Sequence, residues 1–332
     1  MIQPGEMVAV VIGRNEGDGL ERSLRSVKAA GLPIVYADSG STDESPERAG
    51  AVGVPVVSLD PVRPFSAGRG RNEGLDEACR RWPAARFVLF LDGDCELDPH
   101  FPVAAAKQFA ADAACAIVTG RLTERHPHAS AYNRLCAIEW QSPAGPIENM
   151  NALGGIMVAR ISAFRSVGGF DLDAIAGEEP DLGVRLSLAN FSIVKIDSPM
   201  ATHDARIMRF GQWWMRAVRG GHALAHRYSR HGRTRFHDGR RELRSVMFWG
   251  FALPLVIFIA LWPTRGWSLL LLPSYALLGV RIYRHYVGTG LSGPDARLVT
   301  RFILYGKFAE VIGVARYCLN RVRGSFRIIE YR

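Results

Sequence analysis

Two aspartates separated by one glycine, Asp92 and Asp94, directly follow the apolar run 87–91. Such a run reads as a buried strand, so both carboxylates leave the sheet at one end and can approach a single centre. Paired hard oxygen donors suit Mg2+ or Mn2+, which would neutralise a diphosphate leaving group. The same Asp-Gly dipeptide also marks ordinary exposed turns. A second acidic group, Glu178, Glu179 and Asp181, surrounds Pro180. Proline suits a first helical turn, and Leu182, Leu186 and Ala189 give that helix an apolar face. The three carboxylates therefore sit at its positive end. Adjacent glutamates repel, which raises one pKa.

The elements that must position these groups are short. Runs 8–12, 34–37, 54–58 and 87–91 read as buried parallel strands. Helical stripes lie between them, Leu20, Leu24 and Val27 in one, Leu75, Ala78, Cys79 and Trp82 in another. Strand and helix in alternation predict a doubly wound sheet, which takes ligands beyond the carboxyl ends of its strands. Those ends carry three polar clusters: Gly13 to Glu16, Asp38 to Asp43, and Asp92 to Asp94. Asp38 could read a nucleobase or ribose, whereas Ser41, Thr42 and Asp43 suit helix capping equally well. Beyond Cys115 the pattern predicts a mixed region, a helix near 130–140, a turn at Gly154 and Gly155, and a strand over 193–197 followed by His203. A lone histidine there is either structural or a metal or diphosphate ligand.

The chain has 332 residues, enough for a full α/β core and a smaller module, and a formal net charge of +9. Eleven arginines against Asp238 and Glu242 crowd residues 206–244. With no reading motif beside them, they predict no nucleic-acid partner; anionic headgroups, a lipid-linked phosphate or plain solvation account for them. Five cysteines without a CxxC pair predict neither a disulfide framework nor a zinc site, and the first residues show no cleavable signal. Runs 246–262 and 267–282 are nearly free of charge and joined by Pro263 to Gly266, which predicts a membrane hairpin, spanning or re-entrant. Arginines 240, 241, 244, 281 and 284 flank it and place both ends in the cytosol. Residues 299–319 predict an amphipathic interfacial helix. The expected division is 1–235 for the catalytic domain and 236–332 for a membrane-associated module.

In order along the chain, the apolar 10–12 with Asn15 and Glu16, the loop Asp38 to Asp43, Arg69 to Gly74, Asp92 to Asp94, Gly154-Gly155, Gly177 to Leu182 with Arg185, and Gln212 to Arg216 resemble the family 2 glycosyltransferases. The resemblance implies the GT-A fold, a Rossmann-like, mostly parallel sheet with helices on both faces, and an inverting, metal-dependent hexosyltransferase-type enzyme. It implies a nucleotide-diphosphate sugar donor, UDP-linked by analogy, and a lipid-linked or polysaccharide acceptor at the cytoplasmic face of a membrane. Asn15, Glu16, Asp38, Ser39, Arg71, Asn72 and Asp92 would line the nucleotide, and Asp92, Asp94 and His203 would hold Mg2+ or Mn2+. Glu179 would be the base, with Glu178 beside it, and Gln212, Trp213, Trp214 and Arg216 would face the acceptor.

Three places depart from the family pattern. Glu179 stands where the pair is usually Glu-Asp, which leaves Asp181 as a substitute base. Ser39 replaces a common second aspartate. The 212–216 stretch resembles the family's Gln-x-x-Arg-Trp motif without matching it, and its tryptophans suit sugar stacking and membrane anchoring equally. Two other classes remain at this point. One is a haloacid-dehalogenase-like phosphatase or phosphotransferase with Asp92 as nucleophile; the other is a membrane partner that kept the fold and lost activity.

Overall fold

The computed structural model describes residues 6–324; the first residues of the signal reading and the last eight of the chain lie outside them. The strands are β1 (Met7–Gly13), β2 (Ile34–Asp38), β3 (Val56–Ser58), β4 (Phe87–Asp92), β5 (Cys95–Leu97), β6 (Cys115–Glu124), β7 (Gly145–Pro146), β8 (Met157–Arg160) and β9 (Ser192–His203). They form one sheet in the order β3-β2-β1-β4-β8-β6-β9-β5, with β7 paired to β9. The half from β3 to β4 is parallel. In the other half β8 runs antiparallel to both β4 and β6, while β6 and β9 run parallel, so the mixed region expected after Cys115 is present. The structure thus has the expected α/β class.

Residues 7–12 of β1 and 87–91 of β4 are buried on both faces, as continuous apolar runs require of strands with helices on each side. One face packs on α1 (Asp18–Ala29) through Leu20, Leu24 and Val27, beside α2 (Ser45–Ala51). The other packs on α3 (Ala67–Arg81), where a Cβ on Gly74 would lie 2.5 Å from Val10. Trp82, expected on the stripe of α3, falls just past its end and is half-buried. The remaining helices of this part are α4 (Phe101–Ala111), α5 (Ala131–Glu139), α6 (Ile161–Ser166) and α7 (Glu178–Leu188).

Chain order and compactness do not coincide. One compact unit comprises 1–127 and 139–206, and the other 128–138 and 207–332. The second contains most of α5 together with α8 (Phe210–His231), α9 (Arg240–Met247), α10 (Leu253–Ala260), α11 (Pro273–Gly288) and α12 (Gly293–Arg323). Tyr132 meets the Phe302 ring at 5.5 Å, and Arg134 holds Asp295 at 2.6 Å. Gly221 and Gly313 let α8 and α12 touch backbone to backbone, since a Cβ on either would overlap the other helix. A π-helical turn, Phe248–Ala252, joins α9 to α10. The resulting helix Arg240–Ala260 is long and apolar enough to cross a membrane, with a mean hydropathy of 1.9 in its most apolar window. It alone passes that test among the described residues. The second apolar run is instead divided into a 3-10 segment, Trp267–Leu271, and the start of α11, whose far end carries Arg281 and Arg284.

Candidate active site

Strand register assembles the site. Gly13 pairs with Asp38 and Ile12 with Asp92, so β1, β2 and β4 end at one edge. The loops leaving them are tied together. Gly93 N–H donates to Ile12 O at 2.7 Å, Thr42 N–H to Asn15 Oδ1 at 2.7 Å, Asn15 N–H to Ser41 Oγ at 3.0 Å, and Ser39 N–H to Gly13 O at 3.0 Å. Asn15 takes a left-handed backbone, φ 58°, to make its part of this seam. Glu16 N–H donates to Ser45 Oγ at 3.2 Å.

Asp38 is buried, and its carboxylate accepts from Gly40 N–H at 3.0 Å, Ser41 N–H at 2.9 Å and Tyr36 Oη at 3.0 Å. Burial and the neighbouring Asp38 charge push the Tyr36 phenol far up, so it stays protonated and donates. Asp38 thus shapes the loop that Asn15 and Ser39 line.

Arg71 is the centre of the acidic cluster. The N-terminus of α3, capped by Ser66 Oγ accepting from Arg69 N–H at 3.1 Å, aims two arginines differently. Arg69 holds Glu73 at 2.6 Å and the carbonyls of Asp60 and Arg63, which fixes the preceding loop. Arg71 is 2% exposed; Nη1 donates to Glu178 Oε1 at 3.1 Å and Glu179 Oε1 at 3.0 Å, and Nη2 donates to Asp92 Oδ1 at 2.9 Å. Burial pulls the guanidinium pKa down, but Asp92, Glu179 and Glu178 outweigh it and raise it. Three carboxylates still face one cation. Desolvation first, then repulsion from Glu178, pushes Glu179 up to about 7 against the pull of Arg71. Gly155 makes the arrangement fit, because a Cβ there would overlap Arg71 Nη2 and lie 3.0 Å from Glu179 Oε1.

Neighbouring candidates have other engagements. Asn72 exchanges two hydrogen bonds with the Phe170 backbone, at 2.8 and 3.0 Å. Asp181, its side chain 1% exposed, binds Arg185 one helical turn on, at 2.8 Å. The Glu179 side chain is 15% exposed, so of the two proposed bases it keeps the open surface.

The expected metal ligands divide. Asp92 goes to Arg71, whereas Asp94 Oδ2 meets His203 Nε2 at 3.4 Å. Cys95, which sequence reasoning left out, joins the latter pair: the ligand atoms of Asp94, Cys95 and His203 all lie within 4.8 Å of one another. A carboxylate, an imidazole and a thiol at that spacing fit a divalent ion. Behind them, His203 Nδ1 faces Glu124 Oε2 at 3.5 Å, and the Trp140 ring packs on the imidazole at 4.7 Å.

The acceptor-side candidates belong to the second compact unit. Gln212 caps α8, its Oε1 accepting from Met208 N–H at 2.9 Å and Arg209 N–H at 3.0 Å. Trp213 is 6% exposed with its ring 4.6 Å from Phe302, a core position. Trp214 and Arg216 are half-buried.

Comparison with known proteins agrees with this layout. The glycosyl transferase family 2 model matches residues 8–167, the segment that carries β1 to β8 and the Asp92 to Asp94 turn. No curated protein matches the chain. Among solved structures, the mannosyltransferase PcManGT from Pyrobaculum calidifontis, in complex with GDP-Man and Mn2+, is 16% identical, with 95% of this chain and 88% of that chain covered and a TM-score of 0.61. It shares the fold. TarS residues 1–349 from S. aureus are 14% identical over 94% and 91% of the two chains, TM-score 0.48. Glucosyl-3-phosphoglycerate synthase from Mycobacterium tuberculosis, with Mn2+, UDP and glucosyl-3-phosphoglycerate, is 21% identical over 69% and 81%, TM-score 0.47.

Proposed function

We propose, on the strength of the glycosyl transferase family 2 match over residues 8–167, that this chain is an inverting, metal-dependent glycosyltransferase that moves a sugar from a nucleotide-diphosphate sugar to a lipid-linked or polysaccharide acceptor at the cytosolic face of a membrane. The observation that carries the reading is the Arg71 cluster, which holds Asp92 at the donor edge and Glu179 on one guanidinium.

Inversion needs a base on the face of the sugar opposite the leaving group. Glu179, pushed up to about 7, takes the proton of an acceptor hydroxyl better than an ordinary carboxylate would. As that proton moves to Glu179, the hydroxyl oxygen bonds to the anomeric carbon and the bond to the diphosphate oxygen breaks, its electron pair leaving with the nucleoside diphosphate. Arg71 keeps Glu179 in place through this exchange. Asp94 and His203, with Asp92 at hand, would hold Mg2+ or Mn2+. That ion would offset the charge of the departing diphosphate. The loops of Asn15, Glu16, Asp38 and Ser39 would seat the nucleotide, uridine by analogy, with Arg71 and Asn72 beside it.

The membrane assignment rests on Arg240–Ala260 and on exposed apolar side chains around it, among them Phe258, Trp262, Trp267 and Leu277. Water-facing surface of that kind needs a cover, and lipid suits it. Arginines 240, 241 and 244 at the helix start support a cytosolic position for that end. On this reading 1–235 is the catalytic part and 236–332 the membrane-associated module, with 212–216 serving the acceptor.

Full-length protein in detergent, given a panel of nucleotide sugars with Mn2+, should release nucleoside diphosphate from one of them. Release that persists undiminished in Asp94→Ala would remove the assigned centre. Phosphate trapped covalently on Asp92 would move the chain to phosphotransfer.

A further inference from the structure

Cys95 is fully buried in β5, yet its Sγ donates to Asp94 Oδ1 at 3.1 Å instead of lying in an apolar pocket. Its surroundings are set by three strands. Cys95 and His203 are cross-strand partners between β5 and β9, and Glu124 and His203 are partners between β6 and β9. This register lines up thiol, imidazole and carboxylate side by side. Glu124, buried and accepting from Ala205 N–H at 3.2 Å, engages His203 Nδ1 and leaves Nε2 facing Asp94. A carboxylate behind an imidazole is the usual outer support of a metal-bound histidine.

We infer that Cys95 is a third protein ligand of the ion held by Asp94 and His203, and that it biases the site toward borderline-soft divalent ions. The inference rests on the reading that Asp94 and His203 bind metal. Binding as thiolate, Cys95 would release its proton to solvent, and Asp94, Cys95 and His203 would together hold the ion. Oxygen-only sites prefer Mg2+ and Mn2+; one thiolate and one imidazole raise affinity for Zn2+ and Co2+ above both. The chain is then a transferase whose divalent-ion preference is set by a single sulfur, with Zn2+ or Co2+ occupying the centre at concentrations where Mg2+ does not.

Co2+ titration of full-length protein in detergent tests this by a signal that needs no turnover. The wild-type protein should develop near-ultraviolet thiolate-to-cobalt charge-transfer absorption together with visible d–d bands. Cys95→Ser and Cys95→Ala should keep the d–d bands, lose the charge transfer, and bind Zn2+ and Co2+ at least about tenfold more weakly, with Mg2+ and Mn2+ affinity changed less than about threefold. The other four cysteines are present in both variants and serve as the internal control. Cobalt bound in the wild type without charge transfer, and lost in Asp94→Ala, would overturn the role of Cys95 while leaving the metal centre intact. No cobalt binding at all would overturn both. Circular dichroism of the serine and alanine variants separates ligand loss from misfolding, since a folded variant with unchanged Zn2+ affinity also defeats the inference.

Discussion

Gly155 and Arg71 occupy adjoining space so closely that no side chain fits at position 155 while the guanidinium stays bound to Glu179 and Asp92. Gly155→Ala should therefore break the arginine cluster while leaving the strands of the sheet in place. Nucleoside diphosphate release should fall by at least about tenfold with little change in the far-ultraviolet spectrum, because a displacement of about 1 Å in a positioned group costs far more in rate than in stability. Wild-type turnover in the alanine variant would show that the tight fit is dispensable.

Arg71 should tolerate no substitute. Lysine keeps a charge but cannot serve Asp92 from one nitrogen and Glu178 and Glu179 from another. Arg71→Lys should lose at least about tenfold in kcat, and Arg71→Ala should also lower the melting temperature, since three carboxylates would be left without their cation. An unaltered melting temperature in Arg71→Ala would mean that water reaches the cluster freely.

Glu179 gives a pH signature of known sign. Its folded pKa, about 7, lies above the ordinary carboxylate value of 4.5. The folded state therefore binds the proton more tightly, and stability falls as pH rises between those two values. Catalysis needs the deprotonated form, so kcat should rise with pH and level off above about 7. Glu179→Gln should lose about a hundredfold or more in kcat. Its melting temperature relative to wild type should climb from pH about 5 to about 8, as it lacks the group whose ionisation costs stability. A flat difference across that range would deny the shift.

Asp181 should behave differently from Glu179 despite lying two residues away. It is buried against Arg185, which also donates to Val167 O at 2.6 Å. Asp181→Asn should destabilise the protein by about 1–3 kcal/mol in denaturant melts and leave the pH profile of the folded enzyme where it was. A displaced profile would make Asp181 the base.

Trp213 separates packing from acceptor binding. With its ring against Phe302, Trp213→Ala should cost about 3–5 kcal/mol through the cavity it leaves. Trp214→Ala, at a half-buried position, should be mild in stability, and any loss there should fall on the acceptor KM. The reverse ranking in thermal melts would place the tryptophans the other way round.

The parallel half of the sheet was legible because uninterrupted apolar runs at 8–12, 34–37 and 87–91 admit few other fates. The run 54–58 came out shorter, as Val56–Ser58, because β3 is an edge strand entered through Pro55. Strands β5 and β8 escaped notice; at three and four residues they carry no period of their own and exist through their neighbours. The carboxylates of the site were visible as residue types at strand and helix ends. Cys95 was not, because its partner His203 is 108 residues away and only strand register joins them. Gln212 and Trp213 show the converse. A motif order pointed them at an acceptor, whereas capping and burial account for their side chains in local terms.

The interleaving of the two compact units bears on how the protein can be handled. Segment 128–138 is translated long before residues 207–332 but has its partners among them, Asp295 and Phe302 included. No single scission yields both halves whole. A fragment ending near 206 carries an orphaned helix, and a fragment starting near 207 lacks one of its own walls, so segment 128–138 must wait during synthesis for the helical part that follows it.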